Sequence, residues 1–434
     1  VNPYVFGPPI KREADFFGRN DETALAFQHL QRSASLAVIG ERRVGRTSFL
    51  HHLRNLVPNA WRRTPQPAVV LVNAQRVGAK SEEEFERYLV REIIRQCPGL
   101  ELSTSDAAKL CLTDCLERIT PRELVLLLDE FEVIAENPSF ASSFFDDLRY
   151  CSETDNLSLV VSSKRSLEEC CASGNLSLDF AEFLMPIHLR PFGKEELGDF
   201  VAQTSEQSGV SLKPWLDDIQ DISGGFPSFA QMFCSHLYEA CVAGDDEACE
   251  ELVRAQRAFT FRVRPFFQHI WDELSDEEQK ALKVLVQGQT NPDSLVLEQL
   301  RLKGYVQHGH VFSSVFAEMF LKDGMASELE KDEKDSEGSV RKDDKGNIYF
   351  EGQKVDPPLP KLQSRLFNYL YENMGRVCTK YDIVMAVWSE DYLDAVDDAR
   401  IAKLVSRLRK ELGEDARHPK HLFTVHGRGY RLEP

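Results

Sequence analysis

Residues 40–48 read GERRVGRTS, and this stretch decides how the first half of the chain folds. Gly40, Gly45 and Thr47 meet the spacing G-x-x-x-x-G-K-[ST], with Arg46 standing where that pattern has lysine. Residues 35–39, SLAVI, read as a short buried strand before the loop. Residues 48–53, SFLHHL, read as the start of an amphipathic helix behind it. Strand, glycine loop and helix is the context that separates a phosphate-binding loop from a chance match. The loop N–H groups and the helix N-terminus would cradle nucleotide phosphates. The expected ligand is ATP or ADP with Mg2+, and the candidate contacts are Gly40, Arg43, Val44, Gly45, Arg46, Thr47 and Ser48.

A phosphate loop needs an acidic partner at the end of a neighbouring buried strand. Residues 124–130, LVLLLDE, supply one: a large apolar run closed by Asp129 and Glu130. In such sites the aspartate and the loop threonine hold the metal, and the glutamate polarises the attacking water. Thr47 and Asp129 are therefore the metal candidates, and Glu130 is the catalytic candidate. Arg46 sets the open question. Lysine reaches the phosphates as a compact point charge, whereas a guanidinium is planar and larger. A misplacement of about 1 Å can cost orders of magnitude in rate. Two outcomes fit this substitution: retained binding with slowed or lost hydrolysis, leaving at most a weak ATPase, or an empty pocket.

Around this site the first 260 or so residues alternate apolar runs with helical patterns, as an α/β sheet does. The strands expected are 35–39, 68–73, 123–128, 158–162 and 185–189. Their continuous apolar character suits parallel strands covered on both faces. From about residue 197 to 257 the pattern turns helical, broken by Gly224-Gly-Phe-Pro227. Ser275 with Glu278 fits a capping box opening a helix over 276–286. A further short strand pair is expected around Gly309, in the layout of a small winged helix. Residues 321–345 carry dense charge and few large apolar side chains, the pattern of a flexible linker.

The chain has 434 residues, too many for one core. Its ten cysteines form no C-x-x-C pair, which suits free thiols in a reducing cytosol rather than a structural metal site. No apolar run approaches the roughly 18–20 residues that span a bilayer, and no signal-peptide pattern opens the chain. A membrane location is not expected; a cytoplasmic one is.

The net charge of −18 argues against non-specific nucleic-acid binding by the chain as a whole. That charge is unevenly placed. Residues 346–434 hold 14 Lys/Arg against 13 Asp/Glu, and residues 400–431 hold nine basic residues against three acidic ones. On a helix expected over 398–412, Ile401, Leu404, Val405 and Leu408 recur at core spacing. Arg400, Lys403, Ser406, Arg407 and Lys410 fall on other faces, free to meet bases or phosphates. A hairpin over 422–431 then alternates apolar and polar residues around a Gly-Arg-Gly tip, which would let Arg428 enter a minor groove. A basic helix followed by a basic hairpin is an electrostatic footprint for double-stranded DNA.

The order Asn2-Pro3, Phe6-Gly7-Pro8, Phe16-Phe-Gly-Arg19, GERRVGRTS, LLLDEFE and Gly224-Gly-Phe-Pro227 resembles STAND-type signal-transduction ATPases, in particular the archaeal-type AAA ATPases, over about residues 2–320. The resemblance implies that Phe17, Gly18 and Arg19 lie by the adenine and that Pro227, in a helical lid, touches the nucleotide. It also implies a sensor residue after the strand ending VVSS, with Ser163, Lys164 or Arg165 as candidates. Residues 347–433 closely resemble the winged-helix output domain of OmpR-type response regulators. That likeness is carried by YDIVMAVW (381–388), IAKLVSRLRKELG (401–413) and FTVHGRGYRL (423–432). It implies that 398–412 is the recognition helix and 425–430 the wing. Thr424, His426 and Arg428 join the helix residues as DNA-binding candidates. The receiver domain that normally precedes such a module has no counterpart in the residues before it, where the nucleotide module stands.

The expected fold class is an α/β P-loop NTPase core with a helical lid, followed by two α+β winged-helix domains. The expected boundaries are 1–195 for the core, 196–262 for the lid, 263–322 for a winged-helix-like domain, 323–345 for the linker and 346–434 for the DNA-binding domain. The expected function is a nucleotide-binding DNA-binding transcriptional regulator whose nucleotide state controls conformation or self-association. An active ATPase of a defence or mobile-element system that uses DNA binding for targeting is the alternative. A nucleotide-free scaffold is a third.

Overall fold

The computed structural model describes residues 2–4, 6–76, 81–97, 111–154, 156–243, 248–287, 294–321, 340–342, 348–350, 353–356, 359–374, 377–388, 394–415, 419–425 and 429–433. These divide into two compact units, one formed by Val1–Leu252 with Glu298–Ser313, the other by Val253–Leu297 with Ser314–Pro434. The stretch 263–322, expected as one winged-helix-like domain, is thus shared between them.

The first unit is built on a parallel sheet of β1 (Leu36–Ile39), β2 (Ala68–Asn73), β3 (Leu124–Asp129), β4 (Leu157–Ser163) and β5 (Met185–His188). Their order across the sheet is β2-β3-β4-β1-β5. Every residue of β3 and β4 is buried, as continuous apolar strands covered on both faces must be. Alternate residues feed different cores. Ala37, Val70, Leu126 and Leu128 pack with Phe85, Phe131 and Phe145 on one side. Leu36, Val38, Val125 and Leu127 pack with Phe49, Leu53 and Leu30 on the other. Each fully buried Leu or Phe contributes about 1.5–3 kcal/mol, so these two layers are the main stabilising term of the unit.

The sheet order also positions the site. In open parallel sheets, ligands bind beyond the carboxyl ends of the strands, where the strand order reverses. Here β1 lies between β4 and β5, pairing Ile39 with Ser163 and with His188. The β2–β3 register pairs Asn73 with Asp129. The ends of β1, β3 and β4 therefore bring the loop after Ile39, the carboxylates at Asp129 and Glu130, and Ser163 to one rim of the sheet.

Also in this unit, β6 (Val306–Gln307) and β7 (His310–Val311) form an antiparallel pair. Gly309 turns between them at φ +84°, in the left-handed region that glycine enters without a side-chain clash. The second unit contains the helix Asp276–Val286, opened by a capping box. Ser275 Oγ accepts from the Glu278 N–H at 3.2 Å, and Glu278 Oε2 accepts from the Ser275 N–H at 2.9 Å.

Among the described residues the C-terminal part forms two small sheets and three helices over one core. The strands β8 (Val340–Lys342), β9 (Ile348–Phe350) and β10 (Gln353–Lys354) make an antiparallel sheet. The strands β11 (Cys378–Thr379), β12 (Leu422–Val425) and β13 (Gly429–Leu432) make another, ordered β11-β13-β12. β8 falls inside the 323–345 stretch expected as linker: Val340 is buried beside Phe367 and Leu370 in the core, so the sheet begins before residue 346. The helix expected over 398–412 spans Asp394–Leu412. Its extra turn holds Asp397, which is buried and accepts from Arg400 at 2.9 Å. Acidic residues in a first turn also suit the helix dipole.

Candidate functional site

The loop after β1 leaves the sheet through Gly40, whose N–H donates to the Ser163 carbonyl at 3.2 Å. A Cβ at Gly40 would sit 2.8 Å from the Leu189 carbonyl oxygen, so only glycine fits there. Gly45 is needed for a different reason. It caps the 15-residue helix Arg46–Ala60 at φ +97°, and a Cβ built on it would meet nothing within 4 Å. No side chain caps this helix N-terminus. Open space above a helix start without a side-chain cap, with no acidic residue in its first turn, is the arrangement that accepts an anion.

Arg46 does not point idly into that space. Its guanidinium donates to the Gly40 carbonyl at 2.8 Å and to Glu130 Oε1 at 3.2 Å, and it lies 3.7 Å from Glu132 Oε1. Arg46 and Glu130 are both buried. Glu130 itself has φ +55°, a conformation that non-glycine residues hold only when their surroundings enforce it. Here the Glu130 N–H donates to Ser162 Oγ at 3.3 Å.

Thr47 and Asp129, the two metal candidates, lie side by side: Thr47 Oγ1 donates to Asp129 Oδ2 at 2.8 Å. Ser162 Oγ donates to the other oxygen, Asp129 Oδ1. Complete burial pushes the Asp129 carboxyl above the usual range, opposed by Ser162, Arg46 and Thr47. A hydroxyl and a carboxylate side by side are hard oxygen donors of the kind Mg2+ takes, with phosphate and water oxygens completing its shell. Among the described residues no group of three or more His, Cys, Asp or Glu is placed to hold a metal by protein ligands alone.

Of the nucleotide-base candidates Phe17, Gly18 and Arg19, the last reaches the loop. Arg19, buried and in the left-handed region at φ +64°, donates to the Val44 carbonyl at 3.0 Å and to Glu22 Oε1 at 3.1 Å. Its guanidinium lies 4.8 Å from the Phe192 ring centroid, and burial lowers its pKa. Gly18 passes close to Glu196 and Phe192, while Phe17 packs edge-on against Phe200. Ser48 Oγ accepts from the Ile10 N–H at 3.0 Å. Pro227 opens the helix Pro227–Ala243, and the next residue, Ser228, donates its N–H to the Arg43 carbonyl at 3.4 Å.

Of the three sensor candidates, Ser163 is buried, with its Oγ 3.9 Å from Cys170 Sγ. Arg165 turns away to Glu136 at 2.8 Å. Lys164 faces the loop, with Nζ 4.0 Å from Glu41 Oε2. Three residues that the sequence reading did not single out belong to this neighbourhood: Glu41, Ser162 and Glu132. Ser162 left a signal, as a polar residue near the end of an otherwise apolar buried strand.

At the other end of the chain, Ile401, Leu404, Val405 and Leu408 are buried as their spacing demands. Lys403, Ser406, Arg407 and Lys410 are exposed along the same helix. Arg400 is half-buried, ion-paired to Asp397 and set 4.5 Å from the Trp388 ring centroid. Thr424 is exposed on β12, and its Oγ1 accepts from Arg409 at 2.9 Å; Arg409 also donates to the Leu422 carbonyl at 2.7 Å. This guanidinium thus ties the helix to the hairpin. Glu414 Oε1 does the same from the turn, accepting from the backbone N–H groups of Lys420, His421 and Leu422. His426 and Arg428 lie outside the described residues.

Comparison with known proteins agrees with this layout. Residues 100–291 match the family model "Novel STAND NTPase 2", a range that takes in Asp129, Glu130 and Pro227. Residues 354–432 match the model "Transcriptional regulatory protein, C terminal". The sensory transduction protein RegX3 of Mycolicibacterium smegmatis is 37% identical over 97 residues, 22% of this chain and 41% of that protein. The chain thus spans less than half the length of that curated relative. Among solved structures, the Walker-type ATPase of Pyrococcus abyssi superposes with TM-score 0.54 at 16% identity, covering 72% of this chain and 98% of that one. The Aeropyrum pernix ORC2 protein superposes with TM-score 0.50 at 16% identity, covering 70% and 89%. The chain joins an NTPase domain of P-loop ATPase fold to an OmpR-type winged-helix domain. Among the described residues no helix is long and apolar enough to cross a membrane.

Proposed function

We propose that this protein is a cytoplasmic, nucleotide-binding transcriptional regulator in which occupancy of the phosphate loop, rather than nucleotide turnover, sets the state of the DNA-binding end. The observation that carries the reading is the position of Arg46. A guanidinium that bonds both Gly40 and Glu130 supplies positive charge where phosphates would lie. It also occupies the carboxylate that would otherwise polarise water. Binding needs the first property, and fast hydrolysis needs the second to be absent.

Phosphates of ATP or ADP would sit over Gly45 at the helix start, on the N–H groups of Arg46, Thr47 and Ser48. Thr47 and Asp129 would hold Mg2+, which supplies charge neutralisation between phosphate oxygens. Arg19 would hold the segment of the adenine-side candidates against the Val44 carbonyl, and the helix that Pro227 opens would meet the loop through the Ser228 N–H on the Arg43 carbonyl.

The exposed residues Lys403, Arg407 and Lys410 would meet backbone phosphates of double-stranded DNA, with Ser406 beside them at the base edges. Single winged helices bind DNA weakly, so self-association on tandem sites would raise affinity through effective concentration. Heat-denaturing the purified full-length chain and assaying the released nucleotide tests the first half of the reading. Near-stoichiometric ADP or ATP supports it; its absence, together with no binding of added nucleotide, points to the scaffold reading instead. Sustained rapid ATP turnover that Glu130→Gln abolishes would favour the ATPase alternative.

A further inference from the structure

The helix Ala248–Glu273 belongs, from Val253 onward, to the second unit. Residues 253–264, VRAQRAFTFRVR, hold four arginines and no acidic residue in a chain of net charge −18. Arg254, Arg257, Phe261 and Arg264 recur at spacings of three and four, which sets them on one face of the helix. All four are exposed. The opposite face, with Phe259, Val263, Phe266 and Phe267, is buried. Phe267 packs edge-on against Phe259 and Phe316, which fixes the helix within its unit and turns the basic stripe away from the core.

Arg262 joins this helix to the winged helix of the same unit. Its Nη2 donates to Asp382 Oδ2 at 2.6 Å, and Asp382 is buried. The same oxygen accepts from the Thr379 N–H at 3.2 Å, while Thr379 Oγ1 accepts from the Asp382 N–H at 3.3 Å. Arg262 therefore meets the helix Lys380–Trp388 at its capped first turn. Lys380, in that turn, pairs at 2.6 Å with Asp398 of the helix Asp394–Leu412. In a helix-turn-helix the first helix crosses the DNA backbone, and the N-terminal residues of the second meet the bases. The joint at Arg262 thus stands at the backbone edge of the DNA-binding surface. Helix rise puts Arg257 and Arg264 within about 8 Å of it along the axis.

We propose that the stripe of Arg254, Arg257, Phe261 and Arg264 is a second DNA-contacting surface, which takes the phosphate backbone of double-stranded DNA beside the site of the winged helix. This rests on the reading of the winged helix as a DNA-binding module. Charge complementarity selects the partner: an acid-free, arginine-bearing face stands out in an acidic chain and is tied to the helix that crosses the backbone. The stripe runs about 15 Å, the rise of about four base-pair steps, so it can follow the phosphates of one strand. A guanidinium fork meets two phosphate oxygens at once. Such contacts carry no sequence information; they lengthen the footprint and fix orientation. The Arg262–Asp382 joint sets where the stripe lies, so that winged helix and stripe engage one duplex together.

Fluorescence anisotropy of the full-length chain on a random-sequence duplex of about 30 base pairs, over a salt series, tests this. The double variant Arg257→Gln/Arg264→Gln should lower the salt slope by about two. Between roughly 50 and 200 mM salt the wild type should then lose about tenfold more affinity than the variant. The variant's melting temperature should match that of the wild type, since both side chains are exposed. In an Arg262→Gln background the same two substitutions should change the slope by less than about one, because the stripe no longer has a fixed place beside the winged helix. A slope lowered by Lys403→Ala but untouched by the double variant overturns the stripe alone, leaving its arginines to solvent or to an acidic protein. Weaker binding with an unchanged slope and a lower melting temperature does the same, as the mark of a structural role. An undiminished effect in the Arg262→Gln background overturns the part assigned to the joint. A wild type that binds no duplex at low salt overturns the DNA reading and the stripe with it.

Discussion

The Arg46 guanidinium donates to the Glu130 carboxylate at 3.2 Å, and both side chains are buried. A charge pair out of water is strongly coupled, and leaving one partner alone costs about 3–5 kcal/mol. Arg46 therefore belongs to the folded site as well as to its chemistry, and its replacement by an uncharged residue should be visible in both.

Arg46→Lys separates these roles. Lysine keeps the positive charge but cannot reach Gly40 and Glu130 together with a rigid fork. ATP turnover, measured as steady-state phosphate release, should rise about tenfold or more, equivalent to at least 1.4 kcal/mol of barrier. Nucleotide affinity should change far less. An Arg46→Lys protein that binds nucleotide as before and hydrolyses no faster would show that Glu130 is not restrained by Arg46.

Ser162 joins the two acidic residues, donating to Asp129 and accepting from the Glu130 backbone. Ser162→Ala leaves the buried Asp129 carboxylate short of a donor, which costs about 1–3 kcal/mol. Urea unfolding should show that loss of stability, with an unchanged denaturant slope. Mg2+-dependent nucleotide binding should weaken in parallel, because Asp129 loses its orientation.

The reach of sequence reasoning is clear from these same residues. Strands such as Leu36–Ile39 and Leu124–Asp129 lie within a residue or so of their expected bounds, because continuous apolar runs covered on both faces leave few alternatives. Thr47 and Asp129 were legible for a different reason: each stands in a short motif of fixed spacing. The bond of Glu41 to the Tyr305 hydroxyl was not, since 264 residues separate the two and neither carries a local pattern that names the other. Strand β8 was not legible because its three residues sit in a charge-dense flank and, among the described residues, pair through β9. The early start of the helix Asp394–Leu412 was hidden too, since Asp398 reads as a helix-start residue, whereas Asp397 and Asp398 lie inside the helix, paired with Arg400 and with Lys380 of the preceding helix.

His51 gives the chain an acid sensitivity. Burial, with Lys11 and Arg54 nearby, lowers its pKa from 6.5 to about 4. The folded state therefore keeps the ring neutral while the unfolded chain protonates it between those values. Stability from this group is present above pH 6.5 and is lost as pH falls towards 4. Thermal unfolding across pH 4–7 should show a decline on the acid side that His51→Gln flattens. His52, also lowered by burial, remains in the variant and sets the residual slope.

On the DNA side, two kinds of basic residue should behave differently. Lys403→Ala and Lys410→Ala remove exposed charges, so each should weaken DNA binding and reduce the salt slope by about one. Arg409→Ala instead frees β12 from the helix by removing the bonds to Leu422 and Thr424. It should lower affinity and thermal stability together, with a smaller change in salt slope. Fluorescence anisotropy over a salt series, alongside melting curves, distinguishes the two.

The central claim, that occupancy of the loop sets the state of the DNA-binding end without turnover, is tested most directly by one titration. DNA affinity of the full-length chain is measured with no nucleotide, with ADP, with ATP and with a non-hydrolysable ATP analogue. The account predicts that the analogue reproduces the affinity seen with ATP and that both differ from ADP. DNA affinity indifferent to all four conditions, or an ATP effect that the analogue fails to reproduce, would contradict it.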